Sequence, residues 1–361
     1  MTLVHGYVFL RLYSLPLRKR WVGRAVFIAA GVALWLVFFL GLVFGRHGQG
    51  VTAAFLEIAG MHWMGSVFLL AVCLFISDVA CGFGFLFRKA ASRIRTVGVA
   101  CGLVLIVMAH VQGLRPPVVE DYDVPIQGLS AELDGTTIVV LADLHAGDMT
   151  VGPGWLNARV DQVQALRPDC IVLVGDLFER GCDPANMIPV MRRLSAPLGV
   201  WAVRGNHDFM WRNRRDVTGE ILAGAGIRLL ENEWGRMTDG LLIAGVDDLT
   251  TTRRRTGGGE ATVERALANR PADPTIFLSH TPWMTNRAAE ADVSLMLSAH
   301  THNGQIWPFN YLVRTVYPYI QGRYNIESMT LIVTRGTGTW GPRMRLWSPG
   351  EISRVTLRKG Q

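Results

Sequence analysis

Five short apolar runs in this chain each stop at residues that bind metal ions or move protons. Ile138 to Ala142 runs into Asp143-Leu144-His145, and Ile171 to Val174 runs into Gly175-Asp176. Val200 to Val203 leads through Arg204 into Gly205-Asn206-His207-Asp208. Ile276 to Ser279 stops at His280, and Leu295 to Ala299 stops at His300-Thr301-His302. In open α/β sheets, sites form where loops leave the carboxyl ends of strands. Convergence of these ends would gather carboxylates, an amide and imidazoles in one crevice. A lone D-x-H or H-x-H is a weak signal, but five such ends in series are hard to produce by chance. Asp143 and His145 are two apart, as are His300 and His302, so each pair is expected to point to one side. Gly175, Gly205 and Gly304 permit tight turns beside them.

The donor set narrows the chemistry. Mixed Asp, Asn and His suit divalent Mn, Fe, Zn or Co better than Cu(I) or an all-oxygen Ca site. Seven donors (Asp143, His145, Asp176, Asn206, His280, His300 and His302) are too many for one tetrahedral ion. They fit two divalent metal ions sharing a carboxylate, with Asp176 as the bridge. Two ions ~3.5–4 Å apart hold a bridging hydroxide and clamp both attacking and leaving oxygens. Hydrolysis of a phosphoester is the reaction such a clamp serves best.

The elements that must carry these residues are short and rich in Val, Ile and Leu. The spacing predicts buried strands over 137–142, 170–174, 200–203, 241–245, 275–279, 293–298 and 329–334. Helical stretches at 154–166 and 184–194 separate some of them, the first with a stripe at Trp155, Val160, Val163 and Leu166. The pattern is that of an α/β domain.

The run D-x-H, G-D, G-N-H-D, H and H-x-H resembles the calcineurin-like metallophosphoesterase superfamily over roughly residues 135 to 358, and the membrane-anchored bacterial members most of all. Their G-H-T-H-G-G-Q block reads Ala299-His300-Thr301-His302-Asn303-Gly304-Gln305 here, with Ala299 and Asn303 in place of glycines. Thr334 to Gly338 and Pro349 to Ile352 are also similar to that subgroup's C-terminal end. The resemblance implies a calcineurin-like β-sandwich flanked by helices, four layers in the order α/β/β/α. It implies a first ion on Asp143, His145, Asp176 and His302, and a second on Asp176, Asn206, His280 and His300. His207 would be the general acid, oriented by Asp208, a role that suits an imidazole's ordinary pKa. A structural histidine at 207, and an Asp208 that merely caps the next helix, are the plainer alternatives.

The remaining polar candidates are weaker. Asp247-Asp248 reads equally as outer partners of the site or as turn acids. Arg204, beside Asn206, reads as a phosphate contact or, more simply, as a solvated arginine. Arg253-Arg254-Arg255 before Gly257-Gly258-Gly259 reads as a flexible basic loop that grips anionic headgroups or does nothing specific. The aromatic segment from Ile306 to Tyr324 reads as a lid or as a surface against the bilayer. Cys170 and Cys182 are compatible with a disulfide that their spacing does not indicate.

Composition adds a membrane. Half of the chain is hydrophobic, 18% is charged and the mean hydropathy is +0.25, too apolar for an ordinary soluble enzyme of this size. Three spans are expected at 25–45, 63–87 and 97–114 within a membrane region 1–114, followed by a linker 115–134 and a catalytic domain 135–361. Tyr7 to Leu17 is apolar but short and carries Arg11, which suits a piece that lies along the interface or dips partly into the bilayer; as a fourth span it would reverse the topology. Asp78 and His110 inside the spans have no visible partner charge and read as bundle-interior or span-end residues. Basic clusters at Arg11, Arg18, Lys19, Arg20 and Arg24, and at Arg88, Lys89, Arg93 and Arg95, mark cytoplasmic ends. That orientation puts the catalytic domain outside the cytoplasm, on a bacterial inner membrane. Nucleic acid is not expected as a partner, because no nucleic-acid motif accompanies the charge. The expected function is a membrane-anchored phosphodiesterase or pyrophosphatase working by hydroxide attack on a phosphoester, lipid-linked or exposed at the surface. The alternatives are a UDP-2,3-diacylglucosamine pyrophosphatase-like hydrolase, as related members imply, and a metal-binding membrane sensor without turnover.

Overall fold

Alternate residues of β2 (Thr137–Leu141) serve two different cores. In the computed structural model, which describes residues 1–15, 23–45, 50–147, 151–179, 181–209 and 216–360, Val139 and Leu141 pack towards helices. Ile138 and Val140 pack towards a second sheet. A strand buried on both faces needs an unbroken apolar run, which is why this stretch shows no polar alternation.

The same division repeats across two six-stranded sheets. The first has the order β1 (Val118–Ile126), β12 (Glu351–Lys359), β2, β3 (Cys170–Val174), β4 (Val200–Val203) and β5 (Arg228–Leu229). The second has the order β10 (Gly322–Ile326), β11 (Met329–Val333), β9 (Leu295–Ser298), β8 (Thr275–Leu278), β7 (Leu241–Gly245) and β6 (Glu233–Thr238). Between them lies a core of Val172, Val174, Ile243, Ile276, Leu278, Leu295 and Leu297, among others. On the outer face of the first sheet, Ile171 and Leu173 meet Leu156 and Val160 of α5 (Pro153–Ala165), Met187 of α6 (Pro184–Met191) and Ile221 of α7 (Val217–Ala225). On the outer face of the second, Phe277 and Met296 meet Leu249 of α8 (Leu249–Thr256), Val263 of α9 (Glu260–Leu267) and Ala288 of α10 (Thr285–Glu290). The result is helix, sheet, sheet, helix, the calcineurin-like architecture. Each fully buried Val, Leu or Ile contributes roughly 1.5–3 kcal/mol relative to exposure.

In each sheet the central strands run parallel: β2, β3, β4 and β5 in one, β7, β8, β9 and β11 in the other. Their carboxyl ends therefore collect at one edge of each sheet, and the chemistry-bearing residues follow those ends. Residues 118–126, expected inside a linker, instead form β1 in parallel register with β12 from Val118↔Glu351 to Ile126↔Lys359. The stretch VVEDYDVPI is an edge strand with one exposed polar face, a pattern that reads like loop when each face is not considered separately. Cys170 and Cys182 are buried thiols with no disulfide between them.

The second compact unit comprises Met1–Leu114 with Gly341–Trp347. Three of its helices are long and apolar enough to cross a bilayer: Arg24–Gly45, Val51–Ala80 and Arg88–Leu114. The first contains α2 (Arg24–Leu40), continued by a wider π turn at Gly41–Gly45; the others are α3 (Val51–Ala80) and α4 (Arg88–Leu114). The second span starts twelve residues before the expected Trp63 and stops at Ala80, seven short of Phe87. Glu57 hides its beginning from a hydropathy window, and the turn at Gly82–Gly84 ends it. Exposed Val32, Leu36, Phe75, Ile76, Leu103 and Val107 give these helices apolar outer faces. The short first segment forms α1 (Thr2–Tyr13), whose twelve residues reach only ~18 Å.

Asp78 has partners that the sequence did not reveal. Its carboxylate is fully buried and accepts from Tyr7 Oη (2.7 Å), Arg11 Nε (2.6 Å) and Arg95 Nε (2.7 Å). One acid thus ties α1, α3 and α4 together, and a buried charge is tolerable only when paired in this way. Arg18, Lys19, Arg20, Arg46 and the end of the expected 7–17 segment lie outside the described residues.

Candidate metal centre

The strand ends converge as two clusters. Asp143, His145 and His302 present ligand atoms within 4.8 Å of one another, and so do Asp176, His280 and His300. In the first, His302 Nε2 lies 3.3 Å from His145 Nε2 and 3.4 Å from Asp143 Oδ1. In the second, His280 Nε2 lies 3.2 Å from both Asp176 Oδ2 and His300 Nδ1. Asp176 reaches across, since the same Oδ2 is 3.8 Å from His145 Nε2.

Convergence does not arise through strand alternation. β2, β3 and β9 end before the ligands, and Asp143, His145, Asp176, His300 and His302 all adopt positive φ, between 45° and 72°. Such a conformation costs roughly 1–3 kcal/mol at each non-glycine residue and persists only where surrounding bonds hold it. Those bonds are present: Asp143 N–H donates to Gly175 O, His145 N–H to Asp176 O, and Gly338 N–H to Asp143 O. His300 and His302, expected to share a side, diverge into different clusters, because the left-handed backbone breaks the period of two. Two glycines are required by close approach. A Cβ on Gly205 would lie 2.2 Å from Asp176 Oδ1, and one on Gly175, itself at φ +76°, would lie 2.7 Å from His280 Nδ1.

The donors fit divalent ions on structural grounds. Asp143 Oδ1 and Asn206 Oδ1 are buried with no hydrogen-bond partner among the described residues, a costly state for polar oxygens that a cation relieves. Asn206 follows Gly205 and precedes His207, whose N–H donates to Asp176 Oδ1 at 2.8 Å. His145 and His302 turn ring nitrogens towards each other, an arrangement natural for ligands that share an ion. The charges agree. Burial, reinforced by the neighbouring Asp176 charge, pushes Asp143 up to about 6. Burial also opposes ionisation of Asp176, but His280 and His207 outweigh it and hold that carboxyl well below its usual range. Two adjacent buried carboxylates oppose each other's ionisation, and positive charge placed between them favours both ionised forms.

Outer contacts fix the histidines. His280 Nδ1 is 2.8 Å from Val174 O, which leaves Nε2 facing Asp176. Glu179, which sequence reasoning passed over, places Oε1 2.7 Å from His145 Nδ1 and 2.9 Å from His207 Nδ1. Its position three residues after Asp176 was the available signal. Asp208 does not orient His207. Its carboxylate is buried and accepts from Gly205 N (2.8 Å), Leu177 N (3.2 Å) and Thr218 Oγ1 (2.9 Å), stitching the β3 and β4 loops to α7. Those bonds use the carboxylate on backbone and hydroxyl donors, so the imidazole finds Glu179 instead. Burial would lower the His207 pKa, but Asp176, Glu179 and Asp208 raise it to about 9.

The other candidates resolve as follows. Asp248 caps α8 through Thr251 N (2.6 Å) and accepts from Thr281 Oγ1 (2.7 Å), next to His280, so it is both turn acid and outer partner. Arg204 is buried rather than solvated, with ion pairs to Asp216, Glu231 and Asp247. Arg253 to Arg255 lie on the last turn of α8, not in a loop. Within the aromatic segment, Tyr317 Oη stands 2.8 Å from His300 Nε2, while Tyr311 is exposed.

Two His/Asp clusters at the edges of paired sheets, joined by one aspartate, define a candidate dinuclear metal centre of the phosphoesterase kind. Residues 136–304 match the family described as calcineurin-like phosphoesterase. The chain is 33% identical over 361 aligned residues to a Danio rerio protein named transmembrane protein with metallophosphoesterase domain, covering 90% of this chain and 80% of that one. A Bos taurus protein of the same name is 34% identical over 287 residues, with 75% and 64% coverage. An uncharacterized metallophosphoesterase of Aquifex aeolicus is 32% identical over 249 residues, with 66% and 91% coverage. The chain thus spans about two thirds of the Bos taurus relative's length. It belongs to the calcineurin-like metallophosphoesterase family. The vertebrate relatives show that the likeness is not confined to the bacterial members that the sequence brought forward.

Proposed function

We propose that the chain is a membrane-anchored, dinuclear-metal phosphoesterase of the phosphodiesterase or pyrophosphatase type. The observation that carries this reading is Asp176 Oδ2, within 3.2 Å of His280 Nε2 and 3.8 Å of His145 Nε2, a carboxylate positioned to serve both clusters. Asp143, His145, Asp176 and His302 would hold one divalent ion, and Asp176, Asn206, His280 and His300 the other. When bound, such a pair supplies an activated water and neutralises charge on the phosphoryl oxygens.

The chain's own groups do the rest. The Glu179 carboxylate, 2.9 Å from Nδ1, favours the protonated form of His207. Glu179 engages Nδ1, so proton transfer to the departing ester oxygen falls to Nε2. The positive-φ turns hold the ligands in place before substrate arrives, so little reorganisation is needed during reaction.

The three apolar helices support a substrate at the membrane, lipid-linked or displayed at its surface. The basic residues Arg88, Lys89 and Arg93 in the first turns of α4 support a cytoplasmic end of the third span there, and with it a catalytic domain on the outer side of a bacterial inner membrane. A reporter fused to the C-terminus checks this orientation; a strong cytoplasmic signal would reverse it.

Hydrolysis of bis-p-nitrophenyl phosphate by the purified full-length chain, with Mn, Zn, Co or Mg supplied in turn, tests the activity. Metal-dependent turnover that disappears in Asp176→Ala is expected. Turnover that persists in chelator, or an Asp176→Ala variant as active as the parent, would sink the reading.

A further inference from the structure

Three consecutive arginines stand beside this centre with a task that its chemistry does not use. Arg253, Arg254 and Arg255 occupy the last turn of α8, all exposed, and among the described residues none is paired with a carboxylate. Arg204 offers the contrast, being surrounded by Asp216, Glu231 and Asp247. A helix C-terminus favours basic residues through its dipole. That effect does not explain where these guanidiniums rest.

Arg253 lies 5.5 Å above the ring of Trp283, which stacks on Tyr317 at 5.7 Å, whose hydroxyl meets His300. Arg255 lies 5.4 Å above the ring of Phe209, two residues beyond His207. Arg254 stands between them in sequence and is exposed. The helix itself is anchored to the metal-site loop by Asp248, which caps it and bonds Thr281 beside His280. Guanidiniums held on aromatic faces keep their N–H edges for planar or phosphoryl oxygens.

We propose that Arg253 and Arg255, seated on Trp283 and Phe209, form with Arg254 between them in sequence a second anion subsite that binds a second phosphoryl group of the substrate, adjacent to the one hydrolysed. The substrate class is then a diphosphate-linked ester rather than a simple diester. This rests on the phosphoesterase reading above. A diphosphate-linked lipid headgroup and a soluble nucleoside diphosphate share the chemistry.

The test compares wild type with the triple variant Arg253→Gln/Arg254→Gln/Arg255→Gln in the metal-loaded, full-length protein. The substrates are bis-p-nitrophenyl phosphate and P1,P2-di-p-nitrophenyl diphosphate, followed by chromatography of the p-nitrophenyl phosphate formed. Loss of charge-assisted hydrogen bonds should lower kcat/KM on the diphosphate by roughly 10- to 100-fold, mainly through KM. The monophosphate diester should change less than about threefold, as expected for exposed charges that it does not reach. Equal losses on both substrates, or no loss on the diphosphate, would overturn the subsite. If wild type turns over neither substrate, the phosphoesterase reading fails separately. Equilibrium dialysis of P1,P2-dimethyl diphosphate against the chelator-treated proteins then decides the subsite: weaker binding by the variant supports it, and equal binding overturns it. A dodecyl ester of the same diphosphate, if its KM is lowered in wild type and raised again in the variant, supports a lipid-linked occupant. The same variant effect on dodecyl and methyl esters supports a soluble one.

Discussion

A single carboxylate oxygen, Glu179 Oε1, sits 2.9 Å from His207 Nδ1 and 2.7 Å from His145 Nδ1, so one acid fixes both the proposed acid and a proposed ligand. His145 is thereby held with Nε2 3.3 Å from His302 Nε2, and on His207 it is Nε2 that Glu179 does not engage. The hydrogen bonds to these histidines hold Glu179 well below the usual carboxylate range, although burial alone would raise it.

Replacing this acid should be more harmful to catalysis than its distance from phosphorus suggests. Glu179→Gln keeps the shape but loses the charge that favours imidazolium at 207. We expect kcat on bis-p-nitrophenyl phosphate to fall about 10- to 100-fold with a small change in KM. A variant with wild-type kcat would remove Glu179 from the mechanism.

Asp208 should behave in the opposite way. Asp208→Ala strands the buried donors Gly205 N, Leu177 N and Thr218 Oγ1. Each orphaned donor costs about 1–3 kcal/mol. Thermal unfolding of the metal-free protein should shift down by many degrees, whereas Asp208→Asn, which retains an acceptor, should recover part of the loss. An unshifted midpoint for Asp208→Ala would show that these bonds carry little stability.

In the helical unit, Asp78→Ala leaves Arg95 and Arg11 without their common partner. Removing one member of a buried ion pair destabilises by roughly 3–5 kcal/mol. Lower yield of folded protein in detergent is expected, with unchanged activity per folded molecule. Wild-type yield and melting behaviour for Asp78→Ala would reduce the network to an incidental contact.

Much of the strand framework was legible, because strands buried on both faces announce themselves as unbroken runs of Val, Ile and Leu. The range 170–174 coincides with β3, 200–203 with β4 and 241–245 with β7. What was missed alternates or lies at an edge: β1, β6 and β10 carry polar residues on an exposed face, β12 intersperses Ser353, Arg354 and Thr356 among its apolar residues, and β5 is two residues long. Residue types marked the ligands well. Their geometry was not legible, since positive φ at Asp143 or His300 depends on bonds from distant segments such as Gly338. Glu179 and the partners of Asp78 were hidden for the same reason, as contacts between residues up to 71 positions apart.

The measurement closest to the central claim is the metal content of the purified chain by elemental analysis, beside His302→Ala and Asp176→Ala. Two divalent ions per wild-type chain, about one in His302→Ala and the deepest loss in Asp176→Ala are the results expected for two clusters that share an aspartate. A wild-type chain that takes up only one ion under saturating metal, or an Asp176→Ala variant that still holds two, would contradict it.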